Sequence, residues 1–99
     1  MSTPFTYNSP FGKKYLLFVR TETYQDGEIR IQLYDSSDGT PYATATARVG
    51  EKLDSGEVAI KSWSENEGIL EFLVHNKIVK EPHRFVESGY VKVPICELI

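Results

Sequence analysis

One stretch decides the fold, residues 28–34, which read Glu28-Ile29-Arg30-Ile31-Gln32-Leu33-Tyr34. Apolar side chains stand at every second position, and successive side chains of a strand point to opposite faces of a sheet. The stretch therefore predicts a half-buried strand. Asp26-Gly27 directly before it favours a tight hairpin turn, because both residues tolerate the backbone angles that such a turn needs.

Further strands are predicted on both sides of this stretch. Residues 13–24 are rich in aromatic and β-branched residues, and residues 42–49 alternate again after a turn at 36–41. One face of the 42–49 strand carries only small residues, which favours close packing of a helix. These small residues are Ala43, Ala45, Ala47 and Val49. A fourth strand at 58–63 would complete an antiparallel meander, since the links are short.

One helix and a closing hairpin follow the predicted meander. Ser64 and Glu67 have the spacing of a capping box, so the helix is expected to begin at Ser64. Residues 84–98 predict a hairpin, in which Pro94 favours an edge strand or a strand end because it has no backbone N–H. The expected fold class is α+β: an antiparallel β-meander of four or more strands, one helix packed on the sheet, and a C-terminal β-hairpin.

Chain length, charge and composition limit the number of domains, the kinds of partner and the cellular location that the sequence predicts. The 99 residues can build one core, so we predict an N-terminal arm at 1–12, held by its aromatic residues, and a single α+β domain at 13–99. A net charge of −3 gives no basic footprint, so no nucleic acid is expected as a partner. No apolar stretch is long enough to predict a membrane segment or an export signal. Cys96 is the only cysteine, which favours a reducing, cytoplasmic location.

The sequence shows no motif for catalysis, metal binding or a cofactor. The acidic turn at 35–39 lacks the end carboxylates of a calcium loop, and is interpreted as a hairpin turn whose acids bind its own amides. His75 and His83 have no third ligand at a characteristic spacing. Cys96 lies among apolar residues and is interpreted as a small hydrophobic residue. We therefore predict no metal, no cofactor and no catalytic residue; the sequence favours a protein that is not an enzyme and leaves a minor enzyme open as the alternative.

Two surfaces are candidate interfaces with another protein. The first is the junction of the fourth strand and the helix, where an aromatic anchor could have a polar rim. Its residues are Lys61, Trp63, Glu65, Asn66 and Glu67. The second is the outward face of the meander, where the candidates are Arg30, Tyr34 and Tyr42, together with Gln32, Thr44, Thr46 and Arg48. The alternatives are structural: Trp63 would close the end of the core, and the sheet face would be ordinarily solvated.

The chain also resembles a family of small uncharacterised bacterial proteins, a domain of unknown function found on plasmids, phages and integrative elements. The resemblance spans residues 13–98 and rests on four segments. They are Glu28–Leu33, Asp38–Ala43, Lys61–Gly68 leading into Ile69-Leu70-Glu71, and Ser88–Val91 followed by Pro94-Ile95-Cys96. It implies a mobile genetic element as context and a host protein as partner, with restriction and CRISPR systems as candidate targets. It implies no catalytic residue.

Three hypotheses therefore stand before the structure is considered. The first is a cytoplasmic, non-enzymatic protein-binding module that acts as a counter-defence inhibitor. The second is a small-ligand-binding protein or minor enzyme with a pocket between helix and sheet. The third is a self-associating protein that pairs through an edge formed by residues 90–98. The sequence leaves the oligomeric state open.

Overall fold

The computed structural model describes residues 3–99, apart from the side chain of Glu65. Within this range it contains seven strands and one α-helix, which confirms the α+β fold. The strands are β1 (Phe5–Asn8), β2 (Lys14–Thr23), β3 (Ile29–Asp35), β4 (Pro41–Thr44), β5 (Glu57–Ala59), β6 (Arg84–Ser88) and β7 (Val91–Glu97). The helical segments are a 3₁₀ turn at Ser64–Asn66 and the helix α1 at Ile69–His75.

Strands β1 to β4 form an antiparallel meander in chain order. The predicted hairpin at Asp26-Gly27 is confirmed: Gly27 has a φ of 89°, and the turn is closed by the Tyr24 amide, which donates to the Glu28 carbonyl at 2.7 Å. The sequence predicts an arm with no helix or strand period at residues 1–12, but residues 5–8 form β1. The alternation there is only four residues long, too short to be recognised as a strand. Met1 and Ser2 lie outside the described residues.

The second sheet has the order β5-β7-β6, and the β6–β7 pair is the predicted C-terminal hairpin. Because β7 is central and Pro94 lies in its middle, the prediction that Pro94 marks an edge strand or a strand end is wrong. The carbonyl of Pro94 points towards the β5 side, where it accepts from the Ile60 amide at 3.0 Å. In an antiparallel ladder the N–H and C=O of a residue point the same way. An N–H at position 94 would therefore point towards the β5 side, just beyond the end of that strand. Proline at this position removes no hydrogen bond between β7 and β6.

Residues 45–47 join the two sheets. The Ala45 amide donates to the Ile31 carbonyl, and the Ala45 carbonyl accepts from the Lys61 amide, both at 2.8 Å. Thr46 forms a bridge with Ile60. The predicted strand at 42–49 is therefore β4 followed by a crossover. The predicted fourth strand of the meander pairs in the second sheet instead, and β1 takes its place in the first.

Two apolar cores hold these layers together, and α1 packs on the larger one. The buried residues of the larger core are Tyr7, Leu17, Ile31, Leu33, Ala45, Val58, Ile60, Ile69, Phe72, Leu73, Val79 and Cys96. The smaller core consists of Ala59, Val86, Val93 and Ile95, with Trp63 packed against it. Since neighbouring residues of a strand face opposite sides, β7 places Cys96 in the larger core and Ile95 in the smaller.

The helix begins later than the capping box predicts. Ser64 has a φ of 59°, and its carbonyl, not its hydroxyl, accepts from the Glu67 amide at 3.2 Å. The residue before α1 is Gly68, with a φ of 91°, and no side chain caps the N-terminus of the helix. Ser64 and Gly68, both in the left-handed backbone conformation, thus redirect the chain from the second sheet onto the first. At the other end Lys77, with a φ of 58°, takes the left-handed conformation, and Asn76 caps the Phe72 carbonyl through its side chain.

Candidate functional site

The predicted strand–helix junction is only partly a surface. Asn66 is 2% exposed, and its side-chain amide donates to the Thr44 carbonyl at 2.8 Å. Trp63 is half-buried against the smaller core. Both side chains therefore have structural roles, which was the alternative stated for this cluster. Lys61 is half-buried and Glu67 is exposed, while Glu65 contributes its backbone to the 3₁₀ turn.

The outward face of the meander is more closed than its sequence suggests. Gln32 is 4% exposed, and its carbonyl oxygen accepts from Arg30 at 2.8 Å and from the Thr44 hydroxyl at 2.7 Å. Its amide donates to the Ala43 carbonyl at 3.0 Å. Thr46 is also buried. A buried amide with its hydrogen bonds satisfied ties β3 to β4, and is more typical of a structural network than of a binding surface.

Tyr42 does not lie on this outward face. The register shifts between Leu33 and Tyr34, where Tyr34 pairs with Pro41, so β4 carries an extra residue. The ring of Tyr42 instead lies 4.8 Å from that of Tyr15 and packs against the larger core. Burial, reinforced by Tyr15, raises the pKa of Tyr42. Tyr34 is half-buried and paired with Phe18 on β2, so the structure does not bring Arg30, Tyr34 and Tyr42 together.

An ionic cluster around the buried Glu57 was missed in the sequence. The Glu57 carboxylate is 7% exposed and accepts from Arg84 through Nη2 at 2.9 Å and Nε at 3.2 Å, and from the Asp54 amide at 2.9 Å. His83 Nε2 lies 2.6 Å from its Oε2. These bonds, with Arg84 contributing most, lower the pKa of Glu57 to about 2. Arg84 also binds Glu51 at 2.7 Å. The carboxylate is thus saturated by groups of the same chain, which indicates a structural role.

A groove lies between strand β1 and helix α1, which we call the β1–α1 groove. Its volume is 380 Å³ and it is open to solvent. It is lined by Thr6, Tyr7, Asn8 and Pro10 from the strand side, and by Gly68, Glu71, Phe72, His75 and Asn76 from the helix side. Tyr7 and Phe72 form its closed floor, since they are 3% and 5% exposed and their rings lie 5.3 Å apart.

The strand side of the β1–α1 groove presents unpaired peptide groups. The Ser9 amide donates to the Lys13 carbonyl across the β1–β2 turn, so alternate residues of β1, Tyr7 among them, bond to β2. Thr6 pairs with Leu16, whose carbonyl accepts from Ser36 on the far side of β2. The peptide groups of Thr6 and Asn8 therefore point away from β2 and into the groove. No described residue forms a strand beside this edge.

The helix side of the β1–α1 groove carries one acid, Glu71, and one histidine, His75. Glu71 is exposed along it, and Glu67 lies beside its N-terminal end, where its carbonyl accepts from the Tyr7 hydroxyl at 2.9 Å. Burial raises the pKa of Tyr7 to about 12, with contributions from Tyr42, Glu71 and Glu67. The hydroxyl therefore remains a hydrogen-bond donor at neutral pH. Glu67 is the one residue of the predicted junction that the structure places near this groove.

A second free edge is formed by β6, a terminal strand of the second sheet. Phe85 on this strand is 60% exposed, and Tyr90 at the tip of the β6–β7 turn is fully exposed. The edge suggested for self-association, residues 90–98, is instead the central strand β7.

Another open groove, of 740 Å³, lies between the turn at 26–29 and the loop at 48–57. Two charged residues of its wall, Arg48 and Asp26, pair with each other.

Comparisons of the chain with protein-family models, curated proteins and solved structures find no match in any of the three. Among residues 3–99, no group of three or more metal-ligating side chains has the geometry to hold a metal ion. No helix in the same range has the length and apolar character needed to cross a membrane. Cys96 is fully buried, and burial raises the pKa of its thiol to about 11.

Proposed function

We propose that this protein is a non-enzymatic protein-binding module that takes an extended segment of its partner into the β1–α1 groove, as an added strand beside β1. The observation that carries the proposal is the pair of outward-facing peptide groups at Thr6 and Asn8. Strand addition is a common mode of peptide recognition, in which backbone hydrogen bonds supply affinity and neighbouring side chains supply selectivity.

The flanks of β1 support a short, bounded site. Pro4 stands before the strand, and Pro10 lies at the end of the groove. Prolines beside an edge strand block continuous pairing, because they offer no N–H and fix φ. The free edge therefore accepts a segment of about four residues and resists open-ended association. Helix α1 forms a wall beside the added strand, which would hold its side chains on one face.

The alternative of a small-molecule pocket beneath the helix is less well supported. Ile69 and Leu73 of α1 are fully buried, as is Ala45 below them. Side chains thus fill the space under the helix, and the opening lies beside it, along β1. An open groove with two outward-facing peptide groups along one side fits an extended chain better than a compact ligand.

For the setting, we propose the cytoplasm of a bacterium and a host protein as the partner, with counter-defence against restriction or CRISPR systems as the role. This part rests on the sequence resemblance alone. Its test is the transformation of a CRISPR-carrying host with a targeted plasmid, with and without this protein. A counter-defence inhibitor raises the transformation efficiency, whereas an unchanged efficiency for CRISPR and restriction alike contradicts the role.

The binding site can be tested by quantitative capture of host proteins on the immobilised chain. Thr6→Pro removes an outward-facing N–H of β1, and we expect it to abolish capture of the specific partner while the fold is kept. Glu87→Pro is the matched control, because Glu87 lies on the other free edge strand, β6. Trp63→Ala probes the strand–helix junction. Capture that survives Thr6→Pro in a folded protein, or is lost only with Glu87→Pro or Trp63→Ala, would place the interface elsewhere.

A further inference from the structure

We infer that the partner segment carries a lysine or arginine on the side that faces helix α1. The inference rests on the proposed strand addition and specifies its ligand. A strand added beside β1 alternates its side chains between the two faces of the sheet. One set would therefore project towards α1, and the other towards solvent.

The helix wall determines which residues suit the inward positions. Glu71 is exposed in the groove, and Glu67 lies beside its end. None of the described residues that line the groove is a lysine or arginine. An inward-facing acid of the partner would meet like charge, while an inward-facing base would pair with Glu71. Charge complementarity of this kind selects partners more strongly than it adds affinity.

The floor of the groove favours a long basic side chain over a short polar one. Tyr7 and Phe72 are almost fully buried, so the floor of the groove is a closed surface with no deep pocket for a large hydrophobic group. The methylene stem of lysine or arginine can lie along such a surface while its charged end reaches a carboxylate. The expected ligand is thus an extended segment in which a basic residue recurs at alternate positions.

A peptide-display selection on the intact protein tests this inference. The probe is a library of randomised eight-residue peptides, selected separately on the wild type, on Glu71→Lys, and on Glu87→Lys as the matched charge reversal on β6. We expect the wild type and Glu87→Lys to enrich lysine and arginine at alternate positions. Glu71→Lys should bind these selected peptides about tenfold more weakly or worse.

The outcomes separate the inference from the function on which it rests. Selected peptides that bind without charge preference, yet lose binding on Thr6→Pro, would overturn the inference and leave strand addition standing. Selected peptides that still bind Thr6→Pro, or failure to select any peptide on a folded wild type, would overturn both. Equal weakening by Glu71→Lys and Glu87→Lys would indicate a general charge effect, and would also contradict the inference.

Discussion

Gly68 and Tyr7 fix the place where the helix meets the first sheet. Gly68 has a φ of 91°, and a Cβ atom at this position would lie 3.2 Å from the Tyr7 hydroxyl. The backbone angle alone favours glycine, because L-residues pay about 1–2 kcal/mol in the left-handed region. The hydroxyl contact is a second constraint, and it arises only in the folded chain. Because this contact cannot be seen in the sequence, Gly68 was predicted to lie within the helix. In the structure it is the residue that precedes α1.

A pair of glycine substitutions separates these two effects. Gly27→Ala has the same strain, with a φ of 89°, but no heavy atom lies within 4 Å of its new Cβ. We expect Gly68→Ala to lower the free energy of unfolding by more than the roughly 1–2 kcal/mol expected for Gly27→Ala. Chemical denaturation of both variants measures the difference, and a Tyr7→Phe background should shrink it. Equal losses in the two variants would show that the Tyr7 contact costs nothing.

At the scale of elements, the ionic cluster around Glu57 links β5 to β6 across the central strand β7. The sequence could not reveal it, since Glu57 and Arg84 are 27 residues apart and neither belongs to a recognisable motif. In contrast, the alternating strand β3 and the Asp26-Gly27 hairpin were predicted correctly, because their signals are local. The predictions of a capping box at Ser64 and of an edge role for Pro94 were wrong, because tertiary packing overrode the local sequence signal at both residues.

The Glu57 cluster makes the stability of the protein depend on pH in a defined range. The pKa of Glu57 falls from 4.5 to about 2 on folding, so its contribution to stability is present above pH 4.5 and is lost as the pH falls towards 2. Glu57→Gln should cost about 1–3 kcal/mol at neutral pH, as expected for lost charge-assisted hydrogen bonds. Urea unfolding of both proteins from pH 7 to pH 2 measures the difference, which should narrow below pH 4.5. A constant difference would contradict this assignment.

At the scale of the whole molecule, two sheets share one larger core, and β1 and β6 are terminal strands of these sheets. The α+β class, the meander, the packed helix and the C-terminal hairpin were all predictable from periodicity. The candidate site was not, because it depends on β1. That strand has only four residues, and its partner in the groove, α1, lies about sixty residues further along the chain. Of the residues predicted for binding, Glu67 lies beside the β1–α1 groove, and Tyr42 packs from within the core against Tyr7 of its floor.

The central claim is that the edge of β1 is open, and amide hydrogen exchange of the free protein tests it most directly. The Tyr7 amide bonds to β2 in this account, while those of Thr6 and Asn8 face the groove unpaired. We expect the Thr6 and Asn8 amides to exchange rapidly and the Tyr7 amide to be protected, a pattern that NMR resolves residue by residue. Strong protection of Thr6 and Asn8 in the free protein would mean that this edge is already paired, and would contradict the proposed binding site.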